Sequence, residues 1–193
     1  MAIGVIGGTF DPIHIAHLII AEAALEALSL RQVVFVPAAR PPHKDVGLLT
    51  PIGHRLEMVR LAIAGNARLA VSDIEARRES PSYTIDTIRE FRSGLGATEE
   101  IYFIMGGDSL VEFFTWKDPL ELLGACRFAV VPRPGVSLDE ADPRILDRAS
   151  IIAAPEMSIA SRDIRERARH GRTIRYLVPA TVESYIHEKK LYT

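Results

Sequence analysis

Apolar residues along this chain fall into two kinds of run that alternate from one end to the other. Short unbroken stretches recur at strand length: Ile3 to Ile6, Gln32 to Val36, Leu69 to Ser72, Glu100 to Met105, Arg127 to Val131 and Ser150 to Ala153. Runs of this kind read as strands buried on both faces. Between them lie segments with helical spacing. One follows Asp11-Pro12 and extends to about Leu28; Pro51 to Ala64 carries Leu56, Val59 and Ile63 on one face. Another opens at Tyr83-Thr84 with Ile85, Ile88 and Phe91 aligned, and a short one runs from Asp118-Pro119 through Leu123. Leu138 to Leu146 is weakly helical and acidic. A helix capped by Ser161 runs to about His170, where Gly171 ends it, and the last has Val182, Tyr185 and Ile186 on one face with Lys189 and Lys190 at its C-terminal end. This alternation, with no linker, repeat or low-complexity break, predicts a single α/β domain over residues 1–193, a mostly parallel sheet flanked by helices. Ligands of such sheets bind beyond the carboxyl ends of the strands, so the first, second and fourth strand ends are expected to converge on one crevice.

Composition narrows the class. A chain of 193 residues, 48% apolar and 25% charged, can bury a core without staples. Its formal net charge of -2 gives no general footprint for nucleic acid or acidic lipid. Cys126 is the only cysteine, which removes a disulfide framework and a cysteine-based metal site and fits a reduced, cytoplasmic setting. The chain opens directly on strand-like sequence, and no apolar run approaches the roughly 18 residues needed to span a bilayer, so a soluble protein is expected.

The chemistry concentrates in the stretch from Gly4 to His17. Gly7 and Gly8 follow a buried strand and are able to take φ > 0 and let a ligand approach the backbone. Asp11 then suits a helix cap and Pro12 the first helical position. From that start, His14 and His17 are three residues apart on one face of the opening turns, where unpaired N–H groups and the helix dipole favour an anion. The dipole supplies only about 0.3–1 kcal/mol, so loop amides and histidine donors must provide most of the grip. The run is not G-x-G-x-x-G and no Gly-Lys-Ser/Thr follows, which excludes the dinucleotide fingerprint and the P-loop. A nucleotide-phosphate site is the reading.

Further along, several residues have two readings. Arg40, His43 and Lys44 sit in a proline-stiffened loop after the second strand, either holding a ligand's charge or simply solvated. Asp73 to Glu79 is charged and either rims the site or faces water, with water the favoured reading. Ser82 or Thr84 could cap the helix after Ser80-Pro81-Ser82, and that helix start could equally hold a carboxylate. Asp108, at the end of the fourth strand, suits a ribose hydroxyl, a metal-triphosphate or an N-cap. Trp116 beside a polar turn suits stacking on a flat heterocycle or closing the core. Arg133, in a second stiff basic loop, either approaches phosphates or belongs to a turn.

The Gly8-Thr9-Phe10-Asp11-Pro12-Ile13-His14-Ile15-Ala16-His17 stretch resembles the Gly-x-Phe-Asp-Pro-x-His-x-Gly-His loop of the nucleotidylyltransferase superfamily, with Ala16 in place of the usual glycine. That resemblance implies a Rossmann-like fold and transfer of an adenylyl or cytidylyl group, with Gly7, Gly8, Thr9, Phe10, His14 and His17 around ATP. Pro41-Pro42-His43-Lys44, Ser82-Tyr83-Thr84-Ile85-Asp86-Thr87 and the run from Gly106 through Pro119 are similar to segments of the nicotinate mononucleotide adenylyltransferases. The similarity implies contacts from Lys44 to substrate phosphates, Tyr83 and Thr84 near a pyridine ring and its carboxylate, Asp108 among the residues around the mononucleotide, and Trp116 stacked on the ring. In the superfamily a Ser-Ser/Thr-x-x-Arg element holds the triphosphate. Here Ser161 and Arg165 match it, whereas Ala160 and Arg162 depart from it.

The expected reaction joins ATP to nicotinate mononucleotide, giving nicotinate adenine dinucleotide and pyrophosphate. His14, His17 and Arg165 would offset charge on the departing pyrophosphate, and a magnesium ion would be carried mainly by the triphosphate and water. Two alternatives differ from it: the same chemistry on nicotinamide mononucleotide or phosphopantetheine, and a nucleotide-binding regulatory module that has lost catalysis. Oligomeric state is left open, a homo-oligomer included.

Overall fold

A computed structural model describes residues 1–96, 98–132 and 135–193; Arg133 of the second basic loop lies outside the described residues. Six strands form one parallel sheet: β1 (Ala2–Gly8), β2 (Gln32–Pro37), β3 (Leu69–Val71), β4 (Glu100–Gly106), β5 (Arg127–Val131) and β6 (Ala149–Ile151), in the order β3-β2-β1-β4-β5-β6. All six correspond to stretches expected from the apolar runs.

Those runs are continuous because both faces of the sheet are covered. Successive residues of a strand alternate between two cores. Ile6, Val33, Phe35, Ile104 and Ala129 enter one core, while Ile3, Val5, Val34, Val36, Phe103, Met105 and Phe128 enter the other. The first core is closed by α1 (Ile15–Ala27), α2 (Ile52–Ile63), α7 (Ser161–Arg169) and α8 (Ala180–Glu188), through residues such as Leu25, Val59, Ile164 and Val182. The second is closed by α3 (Thr84–Gly94), α4 (Gly107–Val111), α5 (Pro119–Ala125) and α6 (Pro143–Leu146), through Ile88, Leu110, Leu122 and Ile145.

From β1 the chain moves outward through β2 to β3, then crosses back to place β4 on the other side of β1. The carboxyl ends of β1 and β4 therefore flank the point where the strand order reverses, which is where an open parallel sheet leaves a crevice. Gly7, Gly8 and Gly106 all lie at these ends.

Candidate active site

The chain leaves β1 differently from the sequence expectation. Neither Gly7 nor Gly8 takes a positive φ; Phe10 does, at φ 47. Gly8 is needed for space, because a Cβ there would lie 2.9 Å from the Phe10 ring. That ring, 2% exposed, packs edge-on against Phe35 at 5.5 Å and His17 at 5.0 Å. Nor does the helix begin at Asp11-Pro12. The Asp11–Pro12 peptide is cis, α1 starts at Ile15, and His14 is its N-cap. Asp11 cannot cap α1 because its carboxylate is taken by partners remote in sequence: Thr50 N–H donates to Oδ2 at 3.2 Å and Tyr192 Oη to Oδ1 at 2.7 Å.

The i, i+3 spacing still brings the histidines together. Their rings stack with centroids 3.7 Å apart and planes at 20°. His17 Nδ1 accepts from His14 N–H at 3.2 Å, which assigns the proton of a neutral His17 ring to Nε2. His14 is 5% exposed. Two imidazoles thus stand at the start of α1, where the Ile15 N–H donates to Leu177 O and the His17 N–H to His14 O, each at 3.0 Å.

A polar scaffold beneath the loop was not legible as such in the sequence. Arg55 of α2 is 1% exposed, and its guanidinium donates to Thr50 O at 2.8 Å, Thr9 O at 2.8 Å and Ala38 O at 2.7 Å. It ties the ends of β1 and β2 together, and burial lowers its proton affinity. The available signal was position, since Arg55 lies four residues before Val59 on the apolar face of the expected helix. Lys44 reaches across the loop and donates to Thr9 Oγ1 at 2.9 Å. Burial of its ammonium, reinforced by the neighbouring Arg165 charge, holds its pKa below the usual lysine value.

Ser161 and Arg165 face the same loop from behind. Ser161 is the first residue of α7 rather than its cap, which is Ala160, and its hydroxyl donates to Pro12 O at 2.9 Å. Arg165 Nη1 donates to Asp11 O at 2.6 Å. Both side chains clamp the Asp11–Pro12 carbonyls, and neither lines the cleft described below, whereas Ala160 and Asp163 of the same segment do.

On the other side of β1, Trp116 sits edge-on to Phe103 at 5.8 Å and tilted against Phe113 at 5.8 Å, so two aromatic neighbours fix its plane. The α3 start opposite it is capped by neither Ser82 nor Thr84. Its N-cap is Tyr83, and Ser82 Oγ accepts from Arg40 N–H at 3.0 Å. Lys117 joins the two segments, with Nζ 3.0 Å from Asp86 Oδ2 and 4.7 Å from the centre of the Tyr83 ring. Of the stretch expected either to rim the site or to face water, Glu75 is at the site: it is 6% exposed and accepts from Thr87 Oγ1 at 2.6 Å, while Thr87 in turn accepts from Arg78 Nη2 at 2.7 Å. Asp108 lies in the first turn of α4 behind the N-cap Gly106, so its carboxylate is not that helix's cap.

These groups share one cleft of about 720 Å³. Gly7, Gly8, Thr9, His14, His17 and Lys44 line it on the β1–β2 side; Thr84, Asp108 and Trp116 line it beyond β4. Glu75, Ser82 and Met157 complete part of its wall. Phe10 packs against the lining residue His17 from behind, and Tyr83 is not among the lining residues. A more open groove of about 880 Å³ runs along α1 between Leu18, Glu22, Glu26 and Arg68 but contains none of the candidate residues. Among the described residues no group of three His, Cys, Asp or Glu is arranged to hold a metal ion.

Comparison with known proteins identifies the family and the fold. Residues 5–167 match the family model described as cytidylyltransferase-like. A probable nicotinate-nucleotide adenylyltransferase of Moorella thermoacetica is 43% identical over 197 residues, covering 98% of this chain and 91% of that protein. One from a Thermoanaerobacter species is 43% identical over 199 residues, covering 100% and 94%. In three dimensions the chain is similar to the Plasmodium falciparum nicotinic acid mononucleotide adenylyltransferase complexed with NaAD. The TM-score is 0.81 at 22% identity, over 99% of this chain and 97% of that one, a likeness of fold.

Proposed function

The chain belongs to the cytidylyltransferase-like family, among the nicotinate-nucleotide adenylyltransferases, and from that membership we infer that it transfers the adenylyl group of ATP to nicotinate mononucleotide, releasing pyrophosphate. The observation that carries the reading is the single cleft, which joins a stacked histidine pair at a helix start to an aromatic wall across β4.

The reaction needs no covalent intermediate on the protein. An oxygen of the mononucleotide 5′-phosphate bonds to the α-phosphorus of ATP, and the bond from that phosphorus to the β-phosphate oxygen breaks. The protein's task is alignment and charge compensation. His14 and His17, at the α1 start, donate to ATP phosphates, and the Gly7–Gly8–Thr9 backbone with Phe10 behind it shapes the bed on which they lie. Lys44 supplies a cation to the mononucleotide phosphate, and Arg165, released from the Asp11 carbonyl, a cation to the pyrophosphate; Ser161 holds the same loop. Trp116 stacks on the pyridine ring, with Tyr83 and Thr84 at its carboxylate and Asp108 at a ribose hydroxyl. Magnesium would accompany the ATP phosphates and supply charge neutralisation there. It would be carried mainly by phosphate oxygens and water rather than by a protein cage.

The enzyme works on free nucleotides, in keeping with its net charge of -2. Among the described residues no helix is long and apolar enough to cross a membrane, and a cytoplasmic setting goes with Cys126, a lone buried cysteine.

The test is pyrophosphate release from ATP with nicotinate mononucleotide, nicotinamide mononucleotide and phosphopantetheine in parallel. The acid is expected to be the preferred acceptor; equal rates on the two mononucleotides would contradict that preference, and release with phosphopantetheine alone would overturn the role of Trp116. Replacing His17 by alanine is expected to lower turnover by about 10²-fold, the scale of losing one preorganised donor.

A further inference from the structure

Asp11 lies beneath the phosphate loop, 2% exposed, with a neutral partner on each carboxylate oxygen: the Tyr192 hydroxyl at 2.7 Å and the Thr50 amide at 3.2 Å. Three cations surround it. Arg165 donates to its backbone carbonyl at 2.6 Å, Arg55 binds the flanking Thr9 and Thr50 carbonyls at 2.8 Å each, and Lys44 bonds Thr9 Oγ1 at 2.9 Å. A buried carboxylate among cations is drawn toward a direct ion pair. Such a pair would give Lys44 or Arg165 an internal counter-ion and weaken its attraction for substrate phosphate.

The segment that carries Tyr192 is built to reach this point. After α8, Lys190 and Tyr192 both take left-handed backbone, at φ 50 and φ 65, a region that L side chains seldom occupy. Leu191 N–H bonds Ile186 O at 3.0 Å, and Leu191 and Tyr192 pack on the core that contains Met58. Burial and the Asp11 charge push the Tyr192 hydroxyl far above the usual tyrosine range, so it remains a donor throughout the working range of pH.

We propose that Tyr192 is a positioning residue for adenylyl transfer: with the Thr50 amide, its hydroxyl restrains the Asp11 carboxylate beneath the loop, leaving Lys44 and Arg165 to the substrate phosphates. The substrates named in this role rest on the reading of the preceding subsection; the restraint itself does not.

Tyr192→Phe keeps the packed ring and removes only the donor, so it is the test variant. The first measurement needs no nucleotide: acylation of the Lys44 amine as a function of pH, read by peptide mass spectrometry. In Tyr192→Phe the released carboxylate pairs with Lys44, raising its apparent pKa by about one unit and lowering its labelling about tenfold below that pKa. The double variant Asp11→Asn/Tyr192→Phe has no charge to restrain and labels at least as readily as the parent. Steady-state kinetics form the second measurement. KM for the phosphate-bearing substrates is expected to rise about three- to tenfold in Tyr192→Phe while kcat stays within about twofold, the pattern of lost ground-state binding. A folded Tyr192→Phe protein with parental Lys44 labelling overturns the proposal, as does one that loses only thermal stability with KM unchanged. Labelling proceeds without substrate, so inactivity of the parent on nicotinate mononucleotide would count against the function reading alone.

Discussion

Removing the Arg55 guanidinium should cost more stability than removing any surface charge of this chain. Arg55 is 1% exposed and its three carbonyl acceptors lie at 2.7–2.8 Å. Hydrogen bonds from a charged donor contribute about 1.5–3 kcal/mol each, but three on one side chain are not additive. Part of the loss is returned in Arg55→Met, because a buried guanidinium carries a desolvation cost that a thioether does not. The orphaned Thr50, Thr9 and Ala38 carbonyls set the remainder, and a net loss of about 2–4 kcal/mol is expected. For a chain of this size that corresponds to a Tm lower by roughly 5–15 °C. Differential scanning calorimetry at neutral pH measures it directly. Arg55→Lys should fall between parent and Met variant, since lysine keeps the charge but loses the fork that serves separate carbonyls. A Met variant melting within about 2 °C of the parent would refute the reasoning that this guanidinium joins the ends of β1 and β2.

Three further outcomes follow from the structure. Gly8→Ala brings a Cβ to 2.9 Å from the Phe10 ring, which lies 5.0 Å from His17; turnover should drop about tenfold or more, with Tm lowered by only a few degrees, in paired kinetic and melting measurements. Cys126 is buried and its thiol is pushed up to about 12, so at pH 8 only about one molecule in 10⁴ carries the thiolate; a disulfide exchange reagent should find no thiol in the folded protein and one after unfolding. Lys44 has its pKa held below 10.5. The folded state therefore gives up that proton first, so its destabilising charge is fully felt below the folded value and relieved as pH rises toward the unfolded one. Substrate KM should climb through the same window, and Lys44→Arg, which stays charged, should give a flatter pH profile.

The apolar runs were sufficient to locate every strand because both sheet faces are buried, which leaves no polar alternation to confuse length with register. Val33 and Val34, adjacent in sequence, belong to opposite cores, and both are apolar for that reason. The histidine pair was equally legible, since three-residue spacing at a helix start fixes one face whatever surrounds it. What failed was local chemistry with a remote partner. Asp11-Pro12 carries a good helix-start signal, yet Asp11 bonds Thr50 and Tyr192, 39 and 181 residues away, and the helix begins at Ile15 instead. Glu75 sits in a charged stretch that sequence alone places either at the rim of the site or in water, and it is buried with Thr87 Oγ1, itself bonded by Arg78, donating to one carboxylate oxygen.

The same contrast explains how this cleft can be precise without being preformed by any one segment. The groups directed into it lie on β1, α1, the loop after β2 and the starts of α3 and α4, each at the carboxyl end of the sheet. Their positions are fixed from underneath, by Arg55 of α2, Ser161 and Arg165 of α7 and Tyr192 beyond α8, all bonded to residues 9–12 or their neighbours. A loop of four residues held by three separate elements has little freedom to follow a moving ligand, so the substrates must come to it, and charge compensation at a fixed point is the contribution such a loop can make to phosphoryl transfer. Arg165 is the exception in that scaffold: its tie to the Asp11 carbonyl is a single hydrogen bond from a guanidinium with further donors. It is a clamp that can turn away without releasing the loop, because Ser161 and the Asp11 carboxylate still hold residues 11 and 12 in place.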